Sequence, residues 1–133
     1  MKKQTKREKS AIERVTFLQD VVDYYGDDVR RRSIIGNGIP RLITKSGKKS
    51  PVGRHLSSSD YFKAIEYHPY TYTGLLNLYP TLIPEKIKML GEDFLNRVEI
   101  LHHCREYWGR KKGMTVLGKA MVERLLREHC EFN

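Results

Sequence analysis

Apolar residues recur at helical spacing from Ile12 through Val15, Leu18, Val22 and Tyr25, and Gly26 supplies a stop. Ser10-Ala11-Ile12-Glu13 has the capping-box spacing, in which serine and glutamate satisfy each other's free backbone donors, so order is expected to begin at Ser10. The same periodicity returns over residues 92–108, where Phe94, Leu95, Val98, Leu101 and Tyr107 or Trp108 form one apolar face. A last helix is predicted to gather Val116, Leu117, Ala120, Met121, Leu125 and Cys130 near one face. Between these, the caps available at 57–60 predict a short helix through Ile65. Pro69, Pro80 and Pro84 keep any helix at 73–79 short, and Pro84 suits the first turn of a helix carrying Ile87 and Leu90.

Over residues 31–52 the pattern changes. Ser33-Ile34-Ile35 is a short β-prone run, and Gly36-Asn37-Gly38 contains the Asn-Gly pair of a tight hairpin turn. Residues 40–44 read as a second strand, with Pro40 tolerated only at its start or on an edge. Lys45-Ser46-Gly47-Lys48 is a further turn, followed by a short strand at 49–52. The expected fold is therefore α+β: a mainly helical single domain over residues 10–133 with a two- or three-stranded antiparallel sheet. Residues 1–9, with Lys2, Lys3, Lys6, Arg7 and Lys9 among polar neighbours, are expected to form a mobile basic arm. No internal repeat or domain boundary is visible.

At 133 residues the chain can bury a core without staples. Cys104 and Cys130 are too few for a disulfide framework and read as core filling. The basic N-terminus has no apolar run after it, so it is not a secretory signal, and no apolar stretch approaches a membrane span. A cytoplasmic setting is expected.

Charge changes the picture most. The formal net charge is +9, and it is concentrated. Between Asp28 and Asp60 no carboxylate occurs, while Arg30, Arg31, Arg32, Arg41, Lys45, Lys48, Lys49 and Arg54 do. Cations held on a folded surface attract polyanions, nucleic acid above all. Guanidiniums fork onto phosphate oxygens, so a basic hairpin could track a nucleic-acid backbone with little base reading. Tyr67 and Tyr70 are candidate stacking platforms for unpaired bases. If Arg30, Arg31 and Arg32 instead pair with Asp23, Asp27 and Asp28, that field weakens.

Catalytic and metal motifs are weaker. Gly113-Met114-Thr115-Val116-Leu117-Gly118-Lys119 has P-loop spacing, but Ala120 stands where a magnesium-binding hydroxyl is needed and no strand precedes it. His102, His103, His129, Cys104 and Cys130, with Glu99, contain no second paired ligand motif, so neither metal nor other cofactor is expected. No Gly-x-Ser-x-Gly elbow occurs, and nothing in the spacing favours a particular nucleophile or base.

Gly38-Ile39-Pro40-Arg41-Leu42 and then Gly47-Lys48-Lys49-Ser50-Pro51-Val52-Gly53-Arg54-His55-Leu56 resemble a hairpin of small uncharacterised proteins in tailed phages and bacteria. That hairpin reads Cys-x-Tyr, a glycine turn, Cys-Ala-Val-Gly and a leucine, followed by an acidic residue and a tyrosine where Asp60-Tyr61 stand here. Leu101-His102-His103 before Trp108 similarly resembles the group's Leu-His-Asp helix with its tryptophan at that spacing. Pro40 and Ser50 stand in the cysteine positions and His103 in the aspartate position, so no thiol chemistry or metal binding at those cysteines carries over. The resemblance implies a phage-type accessory protein without an assigned activity.

The leading expectation is nucleic-acid binding through phosphates, without sequence specificity. An interaction or inhibitor module for an acidic protein is the alternative. A further one is an enzyme or binder for a phosphorylated small molecule, gripped by Arg41, Arg54 and His55.

Overall fold

The computed structural model describes residues 5–34, 40–64 and 71–131. Helix α1 runs Lys6–Asp27, α2 Ser58–Ala64, α3 Tyr72–Leu78, α4 Glu85–Lys88, α5 Glu92–His103 and α6 Val116–His129. Short 3₁₀ turns at Val29–Arg31, Gly53–His55, Pro80–Leu82 and Arg105–Tyr107 connect them. Buried side chains from α1, α3, α5 and α6 and from the 42–56 segment form one hydrophobic core.

Helix α1 begins earlier than Ser10. Thr5 is its N-cap, and the threonine hydroxyl accepts the Glu8 N–H at 3.1 Å, so Thr5-Lys6-Arg7-Glu8 supplies the cap that Ser10-to-Glu13 had promised. Its buried stripe is also rotated. Ala11, Leu18, Val21 and Tyr25 are buried, whereas Ile12 and Val15 are 44% and 40% exposed. Residue 14 falls on that stripe, and it is an arginine. Arg14 donates from Nε to the Leu90 carbonyl at 2.8 Å and from a terminal nitrogen to the His129 carbonyl at 2.9 Å, with its guanidinium over the Phe94 ring. It therefore ties α1 to the turn before α5 and to the last turn of α6, where a cation also opposes the negative helix end.

Among the described residues the antiparallel sheet is not formed, and the α+β expectation is corrected to a helical fold. Among the described residues no strand occurs, only isolated antiparallel bridges such as Ile34 with Pro40 and Ile43 with Lys49. Each bridge fails to extend for a local reason. Pro40 has no N–H to give a ladder, and Pro51, two residues beyond Lys49, leads straight into the Gly53–His55 turn. Thr44 curls the chain between them: its hydroxyl accepts the Lys48 N–H at 2.9 Å and its carbonyl the Gly47 N–H at 3.0 Å. The Asn37-Gly38 turn lies outside the described residues.

Helix α5 places Phe94, Leu95, Val98 and Leu101 in the core as the periodicity predicts, and Trp108 is buried beyond its end. Helix α6 differs. Val116 and Leu117 are 87% and 56% exposed, and the inward stripe starts at Gly118 and continues through Met121, Val122 and Leu125. Gly118 explains the rotation. A Cβ there would lie 2.1 Å from the Tyr107 carbonyl oxygen, so only a glycine lets α6 seat on the Arg105–Tyr107 turn. The P-loop-like spacing is accordingly packing: Thr115 caps α6 through the Gly118 N–H at 3.1 Å, and Gly113 supplies a positive φ of 75° in the preceding turn.

Gly118→Ala is expected to destabilise the protein by about 2 kcal/mol or more, because backbone cannot yield as a side chain can. Gly26→Ala, with helical φ and nothing nearer than 4.0 Å to the new methyl, is expected to stabilise it by about 0.5 kcal/mol. Urea denaturation of the pair tests both signs.

Candidate anion-binding site

The basic residues of the 30–54 segment have separate fates. Arg30 forms a two-pronged pair with Asp28, at 3.0 and 3.2 Å. Arg31 pairs with Asp27 at 3.0 Å and donates to the Tyr24 carbonyl in the last turn of α1. Arg54 pairs with Asp20 at 2.7 Å. Arg31 and Arg54 both lie over the Tyr24 ring, 4.7 and 3.7 Å from its centroid. Three of the candidate cations are thus engaged with acids of α1 and of the residue that follows it. Lys49 reaches back to the Leu56 carbonyl at 3.4 Å, Arg41 is half-buried, and Lys45 and Lys48 stand exposed on the turn. Tyr67 and Tyr70 lie outside the described residues.

Arg32 is different. It is half-buried, donates to the His102 carbonyl at 3.3 Å, and keeps a buried Nε–H with no acceptor among the described residues. It shares a hollow of about 450 Å³ with Arg105 and Arg110, walled by Val29, Trp108 and Gly109. Burial, then the neighbouring Arg105 charge, lower the Arg32 pKa, as like charges crowd here. Among the described residues no carboxylate forms an ion pair with Arg32, Arg105, Arg110, Lys111 or Lys112.

Backbone contacts build this cluster from sequence-distant parts. The Val29 N–H donates to the Lys111 carbonyl at 2.9 Å, and the Gly113 N–H to the Gly26 carbonyl at 2.7 Å. Trp108 and Met114 close the intervening loop as an isolated bridge, and the Gly109 N–H donates to the Gly113 carbonyl at 2.8 Å. The loop's cations are therefore pinned beside the end of α1. The sequence does show Arg110, Lys111 and Lys112 as a basic break between helices. It does not show that this break docks on residues 26–32.

Beneath the cluster lies a polar network inside the core. His102, 1% exposed, accepts the Ser33 N–H at 3.0 Å through Nε2 and meets the Tyr25 ring edge-on. Burial, reinforced by His103 and Arg32, pushes its pKa well down, so it is a neutral acceptor. Ser50 donates to Glu99 Oε1 at 2.7 Å, and its hydroxyl accepts the Gly53 N–H at 3.0 Å. Glu99 Oε2 has no hydrogen-bond partner among the described residues. Burial raises the Glu99 pKa to about 7, against the smaller opposing pull of Ser50 and the Val52 backbone. Tyr25 donates its hydroxyl to the Lys49 carbonyl.

The other candidate groups are dispersed. His55 and Arg54 line a cavity of about 600 Å³ over Phe17 and Ile87, but Asp20 and Glu13 line it too, and Arg41 does not. His55 packs against Phe17 with its ring tilted, and burial followed by Arg54 lowers its pKa. Cys104 and Cys130 are free thiols whose pKa values burial raises, the opposite of nucleophile activation. His129 packs on Phe94, far in sequence from His102 and His103, and among the described residues no three His, Cys, Asp or Glu side chains are placed to hold a metal ion. No helix among those residues is long and apolar enough to cross a membrane. No protein-family model, curated protein or solved structure matches the chain.

Because folded Glu99 holds its proton more tightly than in the unfolded chain, its contribution to stability is lost as pH rises from 4.5 towards and through about 7. His102 acts in the opposite sense, losing stability as pH falls below 6.5. Comparison with Glu99→Gln isolates the first effect. The variant is expected to gain on the wild type by on the order of 3 kcal/mol between pH 4.5 and 8, read by urea denaturation across that range. A difference that does not change with pH would overturn the assignment.

Proposed function

We propose that the protein binds nucleic acid through phosphate contacts, and that the contacts centre on the Arg32–Arg105–Arg110 hollow and the adjoining Lys111 and Lys112. The observation that carries this reading is a guanidinium cluster with no carboxylate paired to it among the described residues, beside a buried N–H that lacks an acceptor there. Forked guanidiniums suit phosphate oxygens, and the loop lysines extend the field with point charges. The arrangement shifts the expected contact surface away from the 41–54 turn, where Lys45 and Lys48 are exposed and Arg41, Lys49 and Arg54 are half-buried. A role as a phage-type accessory protein is compatible with this activity.

A second reading, an acidic protein partner, draws support from Val116 and Leu117. They are 87% and 56% exposed at the start of α6, a few residues past the basic loop. An apolar pair next to a basic loop suits a protein surface better than a sugar-phosphate chain.

Fluorescence anisotropy with short single- and double-stranded DNA and RNA over a salt series tests the primary reading. A triple Arg105→Ser, Arg110→Ser, Lys112→Ser variant is expected to bind more weakly. On duplex DNA its log–log salt slope is expected to flatten by about 0.9 for each phosphate it no longer neutralises. A Lys45→Ser, Lys48→Ser variant is expected to change both less. Absence of binding at low salt, or binding the triple variant retains, would overturn it. In the former case, loss of acidic-protein capture on Val116→Ser would favour the second reading.

A further inference from the structure

The arginine hollow has a shape as well as a charge. Residues 29–32 and 102–111 run along its two sides, and hydrogen bonds join those sides at either end. At one end the Val29 N–H donates to the Lys111 carbonyl at 2.9 Å. At the other, Arg32 donates to the His102 carbonyl at 3.3 Å, and the Ser33 N–H to His102 Nε2 at 3.0 Å. Between these ties Val29 and Trp108 are buried, and the indole N–H of Trp108 is fixed to the Leu101 carbonyl at 2.8 Å. The hollow is therefore a cup of about 450 Å³ tied off at both ends, and not a groove that continues across the surface.

The charges that line the cup are of one sign. Arg32 is half-buried, Arg105 and Arg110 are exposed, and among the described residues the wall holds no carboxylate. Glu106, next to Arg105 in sequence, is exposed and lies outside that wall. A phosphodiester within a strand carries one charge on two free oxygens and brings a nucleotide on either side. A terminal phosphomonoester carries about 1.5 to 2 negative charges at neutral pH on three free oxygens, and it brings a nucleotide on one side only. Forked guanidiniums gain most from the more highly charged group with the additional free oxygen. The closed rim favours the same group, because a strand interior must cross the rim twice and a strand end only once.

We propose that the cup takes the terminal phosphate of a nucleic-acid strand, with Arg32, Arg105 and Arg110 around it and Lys111 and Lys112 on the phosphodiesters that follow. This rests on the phosphate-binding reading of the hollow and narrows it from any backbone phosphate to a strand end. The 5′ and 3′ ends offer the same chemistry, so both are tested.

The experiment is fluorescence anisotropy with an internally labelled single-stranded DNA of about 12 nucleotides. It is prepared with a 5′-phosphate, with a 3′-phosphate, or with hydroxyls at both ends, in about 150 mM salt, where charge effects beyond about 8 Å are screened. A hydroxyl-ended strand one nucleotide longer adds a charge without adding a terminal phosphate. At least one phosphorylated strand is expected to bind about tenfold more tightly than both hydroxyl-ended strands. Arg105→Lys and Arg110→Lys keep the charge and remove the fork, and each is expected to abolish most of that preference. Equal binding of all strands, or a longer strand that matches the phosphorylated ones, would overturn end recognition and leave phosphate binding standing. A preference that both lysine variants keep in full would remove the end site from this cup. Binding of no strand, even at low salt, would overturn both readings.

Discussion

The structure depends on hydrogen bonds that two helices lend to a segment with almost no regular structure of its own. Residues 40–56 cross the core without a strand ladder; local turn bonds, such as the Ser50 N–H to the Leu42 carbonyl, satisfy part of their backbone, and helix side chains reach further groups. Tyr25 of α1 bonds the Lys49 carbonyl, Glu99 of α5 takes the Ser50 hydroxyl, and His102 takes the Ser33 N–H just upstream. Leu42, Ile43 and Val52 can be buried only because these polar groups are buried with them. Gly53 is the tightest point of the arrangement, with backbone of Leu42 where its side chain would be. A polar network of this kind specifies the path of the loop as well as its stability, since each partner accepts one geometry.

Much of the helical framework was legible in the sequence. The core face of α5 and the short helices between the prolines follow from apolar spacing and breakers alone. What failed, failed through residues whose role contradicts their chemical type. Arg14 occupies a core stripe because its charge is met by two carbonyls and an aromatic face, so a hydropathy pattern skips it and reads the stripe one position off. Gly118 begins the α6 stripe because it has no side chain, while the apolar Val116 and Leu117 before it remain in solvent. The β-prone run over 31–52 carried correct local signals, but Pro40, Thr44 and Pro51 stop each pairing after a single bridge.

The charge reading shows a similar division. The basic excess of residues 30–54 is visible in sequence, yet Asp20, Asp27 and Asp28 lie a helix turn or a loop away and absorb much of it. Short-range acids could be anticipated from their spacing; Asp20 pairs with Arg54 only through the tertiary fold. A further group of cations with no ion-paired carboxylate among the described residues belongs to a break between two helices, brought next to Arg32 by two backbone hydrogen bonds. The motif residues that suggested a family pattern turn out to be structural members of the core: Ser50, His102 and Trp108 each make a buried hydrogen bond that holds a turn.

Trp108 carries one more consequence. It is the single tryptophan of the chain, its indole N–H is fixed to the Leu101 carbonyl at 2.8 Å, and its ring walls the arginine hollow. The protein thus contains a built-in optical reporter at the place where guanidiniums gather. Its emission comes from one rigid, shielded fluorophore whose surroundings change when those guanidiniums move or acquire a counter-ion. Occupancy of the hollow and unfolding of the core can therefore be followed on the unlabelled chain, the first as a perturbation of a buried emitter and the second as its exposure to water.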